Sequence, residues 1–402
     1  MTGDRPITIH EGLSAGGDPL EQRDVVNRLR AEGHTVVADP AQLVIQFLSA
    51  DDAEELLAGR NFGAAVAMTM IAISGVTDGP LHELWSVMMF GKDGDEHQRI
   101  RRTVSSRFTP KAVASMRPAV EEIAEDLVSQ FVEHDRVDLL PAFAVPMIAR
   151  SACAITGFPD EDAGRVGALS VSVAKAFGLM ASDVADDASL AAGELIAYVQ
   201  ELIESDRVVE GSVLAGLLAD DEVPLSAVEK RALAANLVFG GLDTTAKAIA
   251  SGVVLLHEHH QAWDALVADP AGVAPNVVAE TMRYFPPAPA VLRLATEDTE
   301  CGGTTVPANT LAAANLDAVC RDPSIFEQPD DFDVTRTPGR HFTFGAGPHY
   351  CLGANLALLV MDVSFSTLAT RFPQMTIPDA PDGLRWIADP FRGPASLPVT
   401  LR

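Results

Sequence analysis

The sequence predicts a mainly α-helical protein with small peripheral β-sheets, and three observations support this fold class. Helical periodicity dominates residues 96–270, and the longest helical pattern begins near residue 226. Strand-like stretches are short, at residues 34–38, 43–48, 300–306 and 396–401. No internal repeat and no linker rich in proline, glycine or serine divides the chain, so we predict one domain over residues 1–402.

The composition is that of a large acidic protein with a substantial core. The chain has 402 residues, 48% of them hydrophobic, and 56 acidic against 29 basic side chains give a net charge of −27. So acidic a surface repels nucleic acid and anionic membranes, and we expect neither as a partner.

Cysteine usage and the N-terminal sequence predict a cytoplasmic protein. The four cysteines form no C-x-x-C pair, and their spacing suggests neither a zinc site nor a disulfide framework. The first residues lack the basic and apolar regions of a signal peptide. The longest uncharged run, residues 62–77, is shorter than the roughly 20 apolar residues that a membrane span needs. We expect no membrane partner, and we take the protein to be a monomer.

The longest predicted helix starts at a capping box and should cross the core. Ser226 and Glu229 have the spacing of that box. Apolar and small residues then continue to about Leu256. At 1.5 Å per residue, roughly 30 residues span about 45 Å. A helix this long and apolar is predicted to be central.

A tight glycine-rich loop ends in one cysteine at residues 344–353, FGAGPHYCLG, and precedes an apolar stretch. Its glycines allow a backbone geometry and a close approach that side chains would block. A cysteine where a loop becomes a helix lies beside unpaired N–H groups and the positive helix end. These surroundings favour the thiolate of Cys351, which is the form that ligates metal.

This loop resembles the heme-binding loop of the cytochrome P-450 family, whose pattern is Phe-x-x-Gly-x-(basic)-x-Cys-x-Gly. Phe344, Gly347, His349, Cys351 and Gly353 fill it without a miss. The resemblance runs through most of the chain and is weakest before about residue 91. It implies the cytochrome P-450 fold, with heme b (iron protoporphyrin IX) between the long central helix and the Cys-loop helix. It also implies a soluble bacterial-type heme-thiolate monooxygenase with Cys351 as the iron ligand.

Residues 239–245, FGGLDTT, lie in the central helix and resemble the family's oxygen-activation motif, (Ala/Gly)-Gly-x-(Asp/Glu)-Thr. By this resemblance Thr244 hydrogen-bonds dioxygen and its ordered water, and Asp243 relays protons from solvent. Two protons are needed before the O–O bond breaks, and a thiolate ligand favours that cleavage. Gly240 and Gly241 have two interpretations, namely close packing against a neighbouring helix or room for a flat macrocycle and a small ligand.

Basic side chains at family spacings predict the heme contacts. His97 and Arg101 match the family's His-x-x-x-Arg, Arg293 matches its propionate-binding arginine, and His341 matches a further propionate contact. Two buried carboxylates need charge-assisted donors, which these side chains would supply. The predicted cofactor contacts are His97, Arg101, Gly240, Arg293, His341, Phe344, Gly345, His349, Cys351 and Gly353.

Glu280 and Arg283 are three residues apart on one face of a predicted helix. They match the family's Glu-x-x-Arg, which ties the core beneath the heme, so we assign them a structural role. Many members add a third, basic partner. Asp331 occupies that position here, so Arg336 or Arg321 is expected to replace it.

The resemblance also implies a separate source of electrons. Dioxygen chemistry of this type needs two electrons per turnover, and the chain has no flavin or iron–sulfur motif. We expect a ferredoxin or flavodoxin with its reductase. Residues 92–111 form a basic island, and we predict that an acidic ferredoxin docks there, aided by Arg99, Arg102 and Arg107. The alternative is that these arginines only pair with local carboxylates.

The predicted substrate pocket is mostly apolar, which indicates a hydrophobic small molecule. Asn236 is the polar group expected to reach substrate, or else to bond a neighbouring backbone carbonyl. Hydroxylation or epoxidation is expected, and terpenoid, polyketide, steroid and aromatic substrates, including natural-product tailoring, remain open. By resemblance the pocket residues are Asn236, Phe239, Gly240, Pro289, Val291 and Phe391.

Two other functions are compatible with the Cys351 loop. A peroxide-driven peroxygenase is one, but such relatives usually lack the acid–alcohol pair of Asp243 and Thr244. A non-catalytic heme-thiolate sensor or carrier is the other, and it would need Cys351 without a proton relay. The Asp243–Thr244 pair therefore favours the monooxygenase.

Overall fold

Helices make up most of the structure, a computed structural model that describes residues 5, 7–10, 18–39, 44–64, 76–177, 184–219, 224–337, 339–378, 383–388 and 391–402. A π-helical turn, Leu140–Ala144, leads directly into one of the helices. The α-helices in chain order are α1 (Pro19–Ala31), α2 (Ala50–Ala58), α3 (Gly79–Val87), α4 (Gly94–Val104), α5 (Pro110–Ala114), α6 (Arg117–Ser129), α7 (Val145–Thr156), α8 (Ala163–Ala174), α9 (Ala185–Glu204), α10 (Val213–Ala219), α11 (Ala227–Glu258), α12 (His260–Ala268), α13 (Pro270–Tyr284), α14 (Leu316–Val319) and α15 (Ala354–Arg371).

The strands are short and form small sheets beside the helices, as the sequence predicts. They are β1 (Thr8–Ile9), β2 (Val36–Asp39), β3 (Val44–Phe47), β4 (Phe62–Gly63), β5 (Arg136–Asp138), β6 (Ala290–Ala295), β7 (Thr299–Cys301), β8 (Thr304–Val306), β9 (Leu311–Asn315), β10 (Trp386–Ala388), β11 (Arg392–Pro394) and β12 (Pro398–Thr400). Six of them form a mixed sheet in the order β1-β2-β3-β9-β6-β4. The rest of these strands form antiparallel pairs, β5 with β12, β7 with β8 and β10 with β11.

The register of the mixed sheet places one predicted heme contact, Arg293, on β6, next to the edge strand β4. In β3 and β9, which are parallel, Val44 lies opposite Leu311. In β9 and β6, which are antiparallel, Arg293 lies opposite Ala312. Because neighbouring residues of a strand point to opposite faces, this register directs the side chains of β6 alternately toward and away from the helices.

Helix α11 is the predicted central helix, and its capping box is confirmed. The Ser226 hydroxyl accepts from the Glu229 backbone N–H, and the Glu229 carboxylate accepts from the Ser226 N–H. The 32 residues of α11 span about 48 Å. By length and composition α11 could cross a membrane, but 72% of its most apolar 18-residue window is buried inside the protein. This burial is typical of a core helix.

A glycine of α11 lets the helix that follows the Cys351 loop approach closely. A Cβ added at Gly252 would lie 2.4 Å from Cζ of Phe365 in α15. Real Cβ contacts are not this short, so with any larger residue the Phe365 ring or the helix that carries it would have to shift. Gly252 therefore makes room for the Phe365 ring against α11.

The Glu280–Arg283 pair is buried at the C-terminal end of α13. Arg283 donates to both carboxylate oxygens of Glu280, at 2.7 and 2.6 Å, and neither residue is more than 3% exposed. Arg336 Nε lies 3.4 Å from the Glu280 carboxylate, whereas Arg321 lies against Asp317. Of the two expected third partners, Arg336 is therefore the one that contacts Glu280.

Candidate active site

A cavity of about 860 Å³ lies between α11 and the Cys351 loop. Its wall includes parts of α11, β6, the Cys351 loop, the turn at Phe391 and the residues around His97, so distant stretches of sequence meet there. The family resemblance also predicts pocket residues within the segment 62–90, of which residues 65–75 lie outside the described residues. The predicted site residues that line the cavity are His97, Arg101, Asn236, Phe239, Gly240, Thr244, Pro289, Val291, Arg293, Phe344, Gly345, His349, Cys351, Gly353 and Phe391.

Two predicted site residues, Asp243 and His341, are not on the cavity wall. Asp243 lies behind it on α11, where its carboxylate is paired with a lysine described below. His341 lies just before Phe344, with the two rings 5.9 Å apart. Both residues therefore lie immediately behind residues that line the cavity.

The glycine pair of α11 faces open space. A Cβ at Gly240 would meet only the Asn236 side chain, at 3.7 Å, and a Cβ at Gly241 would meet no atom within 4 Å. Close packing against a neighbouring helix would have placed atoms well inside that distance. The geometry therefore favours the other interpretation, in which the glycines leave room for a flat ligand.

The Cys351 loop folds back on itself before α15 begins. The Cys351 N–H donates to the Phe344 carbonyl at 2.9 Å. Gly345 and Gly347 have φ of +72° and +70°, a region that favours glycine. A Cβ at Gly347 would lie 2.7 Å from the Leu57 carbonyl oxygen of α2. These contacts fix where the loop presents Cys351.

Cys351 has accessible surface, but that surface opens on the cavity and not on bulk water. Burial raises the pKa of the Cys351 thiol, against the lowering effect of the Gly353 and Ala354 N–H groups and the Arg101 guanidinium. The helix end acts in the predicted direction, but desolvation outweighs it in the protein alone. Metal coordination deprotonates a thiol outright, so a bound iron would itself secure the thiolate.

One end of the cavity is cationic. Arg293 is 5% exposed and donates to its neighbouring Leu292 carbonyl at 2.9 Å. Burial lowers the pKa of Arg293 to about 10, and Asp93 opposes this. Arg101 donates to the Tyr350 carbonyl at 2.7 Å, and burial lowers its pKa too. Two guanidinium groups are thus desolvated here and held largely by backbone carbonyls.

Two histidines and Asp93 also lie at the cationic end of the cavity. The His97 and His349 rings are 4.0 Å apart, and His349 Nε2 lies 2.9 Å from Asp93 Oδ1. Burial alone would raise the pKa of Asp93. Hydrogen bonds from His349 and the Ala64 N–H lower this pKa by more than burial raises it, so the carboxylate stays ionised. Asp93 was not predicted from the sequence, since nothing local links it to a residue 256 positions away.

Buried histidine atoms without partners test whether these residues fit a heme. His97 Nε2 and His341 Nδ1 are buried and have no hydrogen-bond partner among the residues that the structure describes. Burial lowers the pKa of each histidine to about 4. Buried polar atoms are normally satisfied. The unsatisfied ring nitrogen of His97, close to the desolvated Arg101 and Arg293, is a site that a heme propionate would complete, so the residues fit the group.

The acid–alcohol pair of α11 has a partner that the sequence analysis missed. Thr244 Oγ1 donates to the Gly241 carbonyl at 3.3 Å. Lys247 Nζ donates to Asp243 Oδ2 at 2.9 Å and to the Phe391 carbonyl at 2.8 Å. The spacing of four residues between Asp243 and Lys247 is the pattern of a helical ion pair and could have revealed it.

The wall on the α11 side of the cavity is mainly apolar. Phe239 packs edge-on against Phe90, with ring centroids 6.4 Å apart. Asn236 is 7% exposed and lies on the wall one turn before Gly240. Pro289 and Val291 face this wall from the start of β6. Asn236 therefore adds a polar group to a mainly apolar wall.

The three arginines predicted to dock a redox partner differ in their surroundings. Arg99 pairs with Glu229 of the capping box, as the alternative of local carboxylate pairing expects. Arg107 donates to the Gly211 carbonyl at 2.8 Å. Arg102 is exposed and contacts Gln98 of its own helix at 2.9 Å. Arg102 thus gives the cleanest test of docking.

Comparison with known proteins agrees with this geometry. The sequence profile of the family described as Cytochrome P450 matches residues 272–383. The chain is 33% identical over 314 residues to the 6-deoxyerythronolide B hydroxylase of Saccharopolyspora erythraea, which covers 77% of this chain and 76% of that protein. It is 32% identical over 318 residues to nocardicin C N-oxygenase of Nocardia uniformis subsp. tsuyamanensis, with coverage of 78% and 79%.

Solved structures give the same result for the fold. The crystal structure of CalO2 matches with a TM-score of 0.89 at 26% identity, over 98% of this chain and 99% of that one. The predicted mainly α fold with peripheral sheets is therefore confirmed. The profile match and the identity over three quarters of the chain show that it belongs to the cytochrome P450 family and is a monooxygenase of that family.

Proposed function

We propose that the chain inserts one oxygen atom of O2 into a hydrophobic natural product, by hydroxylation or epoxidation, as a cytoplasmic monomer that acts through one domain. The observation that carries this proposal is that Thr244 and Cys351 line the same cavity. The apolar wall around Phe239 supports a hydrophobic substrate. A hydroxylase and an N-oxygenase among the relatives support oxygen insertion.

Heme b is the cofactor that these residues would hold. Cys351 would ligate the iron, and His97, Arg101, Arg293 and His341 would bind the propionates. When bound, the thiolate-ligated heme supplies dioxygen activation, in the overall reaction RH + O2 + 2 H+ + 2 e− → ROH + H2O. The chain's own tasks are to orient the substrate, to exclude water and to deliver the two protons.

Proton delivery falls to Thr244 and Asp243. The 3.3 Å hydrogen bond from Thr244 to the Gly241 carbonyl is long, so a ligand in the cavity can replace it at small cost. The freed hydroxyl then donates to dioxygen. Asp243, one residue earlier and behind the wall, passes protons from solvent water toward that hydroxyl.

Thr244→Ala is expected to uncouple the enzyme. NADH consumption continues, but product formed per NADH falls by about tenfold, the factor that loss of one hydrogen bond of about 1.4 kcal/mol gives. Hydrogen peroxide accounts for the missing oxygen. Product, peroxide and NADH are measured together in reactions with ferredoxin and its reductase.

The matched control is Thr244→Ser, which keeps the hydroxyl and should stay coupled. Unchanged coupling in Thr244→Ala would contradict the assigned role. Substrates for these assays come from a screen of terpenoids, polyketides, steroids and aromatic compounds by the shift in heme spin state that binding produces. Equal product from added peroxide without any reductase, in the native protein, would favour the peroxygenase instead.

An acidic ferredoxin is proposed as the electron donor, docking on α4. Arg102→Glu is expected to slow reduction of the heme by ferredoxin by roughly tenfold at low salt, because charge complementarity accelerates association. Substrate binding should not change. Stopped-flow reduction at several ionic strengths measures the effect.

The matched control is Arg165→Glu, the same charge change at an exposed site on α8. In this variant ferredoxin should reduce the heme at the native rate. Equal slowing by both substitutions would mean that total charge, and not docking on α4, governs the reaction. If Arg102→Glu also slows reduction of the heme by a flavodoxin, the flavodoxin docks on the same face as ferredoxin.

A further inference from the structure

A buried lysine lies one helical turn after the predicted proton-relay acid. Lys247 is 5% exposed and sits in a run of buried residues of α11. Lysine is almost never this buried unless it is paired. Its ammonium donates to Asp243 Oδ2 at 2.9 Å and to the Phe391 carbonyl oxygen at 2.8 Å. The ion pair therefore has an anchor outside the helix.

Backbone packing prevents the lysine stem from moving aside. A Cβ at Gly393 would lie 2.8 Å from Cβ and 2.9 Å from Cγ of Lys247. The strand that carries Gly393 is itself fixed. Arg392, 1% exposed, donates to Asp317 at 2.6 Å, and its N–H donates to the Pro287 carbonyl at 2.8 Å. Lys247 is thus confined between α11 and β11.

The Lys247 ammonium connects Asp243, behind the cavity wall, with Phe391, which is on it. Thr244 and Phe391 both line the cavity, whereas Asp243 and Lys247 do not. The ammonium therefore lies behind the wall. It joins Asp243, the neighbour of Thr244, to the turn at Phe391 that lines the cavity.

We propose that Lys247 is a positioning residue for proton delivery. It holds the Asp243 carboxylate by anchoring it to the Phe391 carbonyl, so that the acid stays aligned with Thr244. This inference rests on the proposed monooxygenase function. Lys247 contacts neither substrate nor dioxygen, and its effect passes through Asp243.

Lys247→Met, which removes the charge and keeps most of the stem, should lower product per NADH on the order of tenfold. That is less than the roughly 10²-fold that a displacement of about 1 Å can cause. The solvent deuterium isotope effect on product formation should rise, because proton delivery becomes more limiting. Affinity for substrate, read from the heme spin-state shift, should stay within about twofold of the native value, as expected for a group off the cavity wall.

Three further variants separate positioning from a general structural role. Lys247→Arg keeps the charge and should restore part of the coupling. Asp243→Asn combined with Lys247→Met should be no worse than Asp243→Asn alone, because both act on one step. Lys230→Met makes the same change in the first turn of α11 and should behave as the native enzyme. A native isotope effect in Lys247→Met, or additive losses in the double variant, would overturn the proposal.

A labelling measurement tests the contact without turnover. In the heme-loaded protein, an amine-acylating reagent should modify Lys247 far more slowly than the exposed Lys111, and Asp243→Asn should speed its modification, as read by mass spectrometry. Modification of Lys247 at the rate of Lys111 would overturn the inference. Native enzyme that makes no oxygenated product would overturn the proposed function, and with it the catalytic part of this inference, whatever the labelling shows.

Discussion

Replacing Cys351 with histidine is expected to abolish oxygenation while leaving a protein that binds heme. An imidazole ligates iron as a neutral donor, so the electron density that a thiolate supplies for O–O cleavage is lost. Cys351 is the cysteine whose surface opens on the cavity. Cys153 and Cys301 are buried away from the cavity wall, so neither can reach an iron bound there.

The ferrous carbon monoxide difference spectrum measures this directly, since thiolate ligation gives a strongly red-shifted band. Cys351→His should lose that band and all product formation, and it should retain one heme per chain by pyridine hemochrome assay. Cys153→Ala is the matched control and should keep both the band and the activity. A red-shifted band in Cys351→His would mean that another cysteine ligates the iron.

Arg283→Leu is expected to have the largest effect on stability. The substitution leaves the Glu280 carboxylate buried with only Arg336 beside it and the Asp333 N–H at 2.8 Å. It also frees backbone carbonyls that Arg283 now serves, those of Cys320, Pro329 and Asp331. Breaking a buried pair from one side costs about 3–5 kcal/mol. We expect that loss in the free energy of unfolding of the heme-loaded protein in urea.

The chain offers a close control in Arg340→Leu. Arg340 also makes two hydrogen bonds to one carboxylate, that of Glu54, at 2.7 and 2.9 Å, but both side chains are at least half exposed. An exposed pair contributes at most about 1 kcal/mol, and the loss should stay below that. Similar losses for the two variants would show that burial does not determine the strength of the Glu280–Arg283 pair.

Features whose residues lie within a few turns of one another could be predicted from the sequence. The capping box at Ser226, the length of α11 and the Glu280–Arg283 pair are of this kind. The loop at Cys351 belongs here too, because its spacing alone carries the resemblance. Local rules were enough because helix geometry fixes which side chains at those spacings share a face.

Contacts between distant parts of the chain could not be predicted. No rule of spacing brings Asp93 to His349, and only the folded chain selects Arg336 rather than Arg321 as the partner of Glu280. The pKa of Cys351 shows the same limit. The sequence predicts the helix end, whose N–H groups lower this pKa. The burial that outweighs their effect depends on every element around the cavity.

The glycines of α11 have opposite consequences for anyone who diversifies this enzyme. No protein atom fills the space beside Gly240 and Gly241, so a side chain there leaves the backbone in place but takes room from the flat ligand. At Gly252 the Phe365 ring already occupies the space where a side chain would go. The same helix thus holds one segment where substitution should act on ligand binding and, about three turns later, one where it should act on the packing against Phe365.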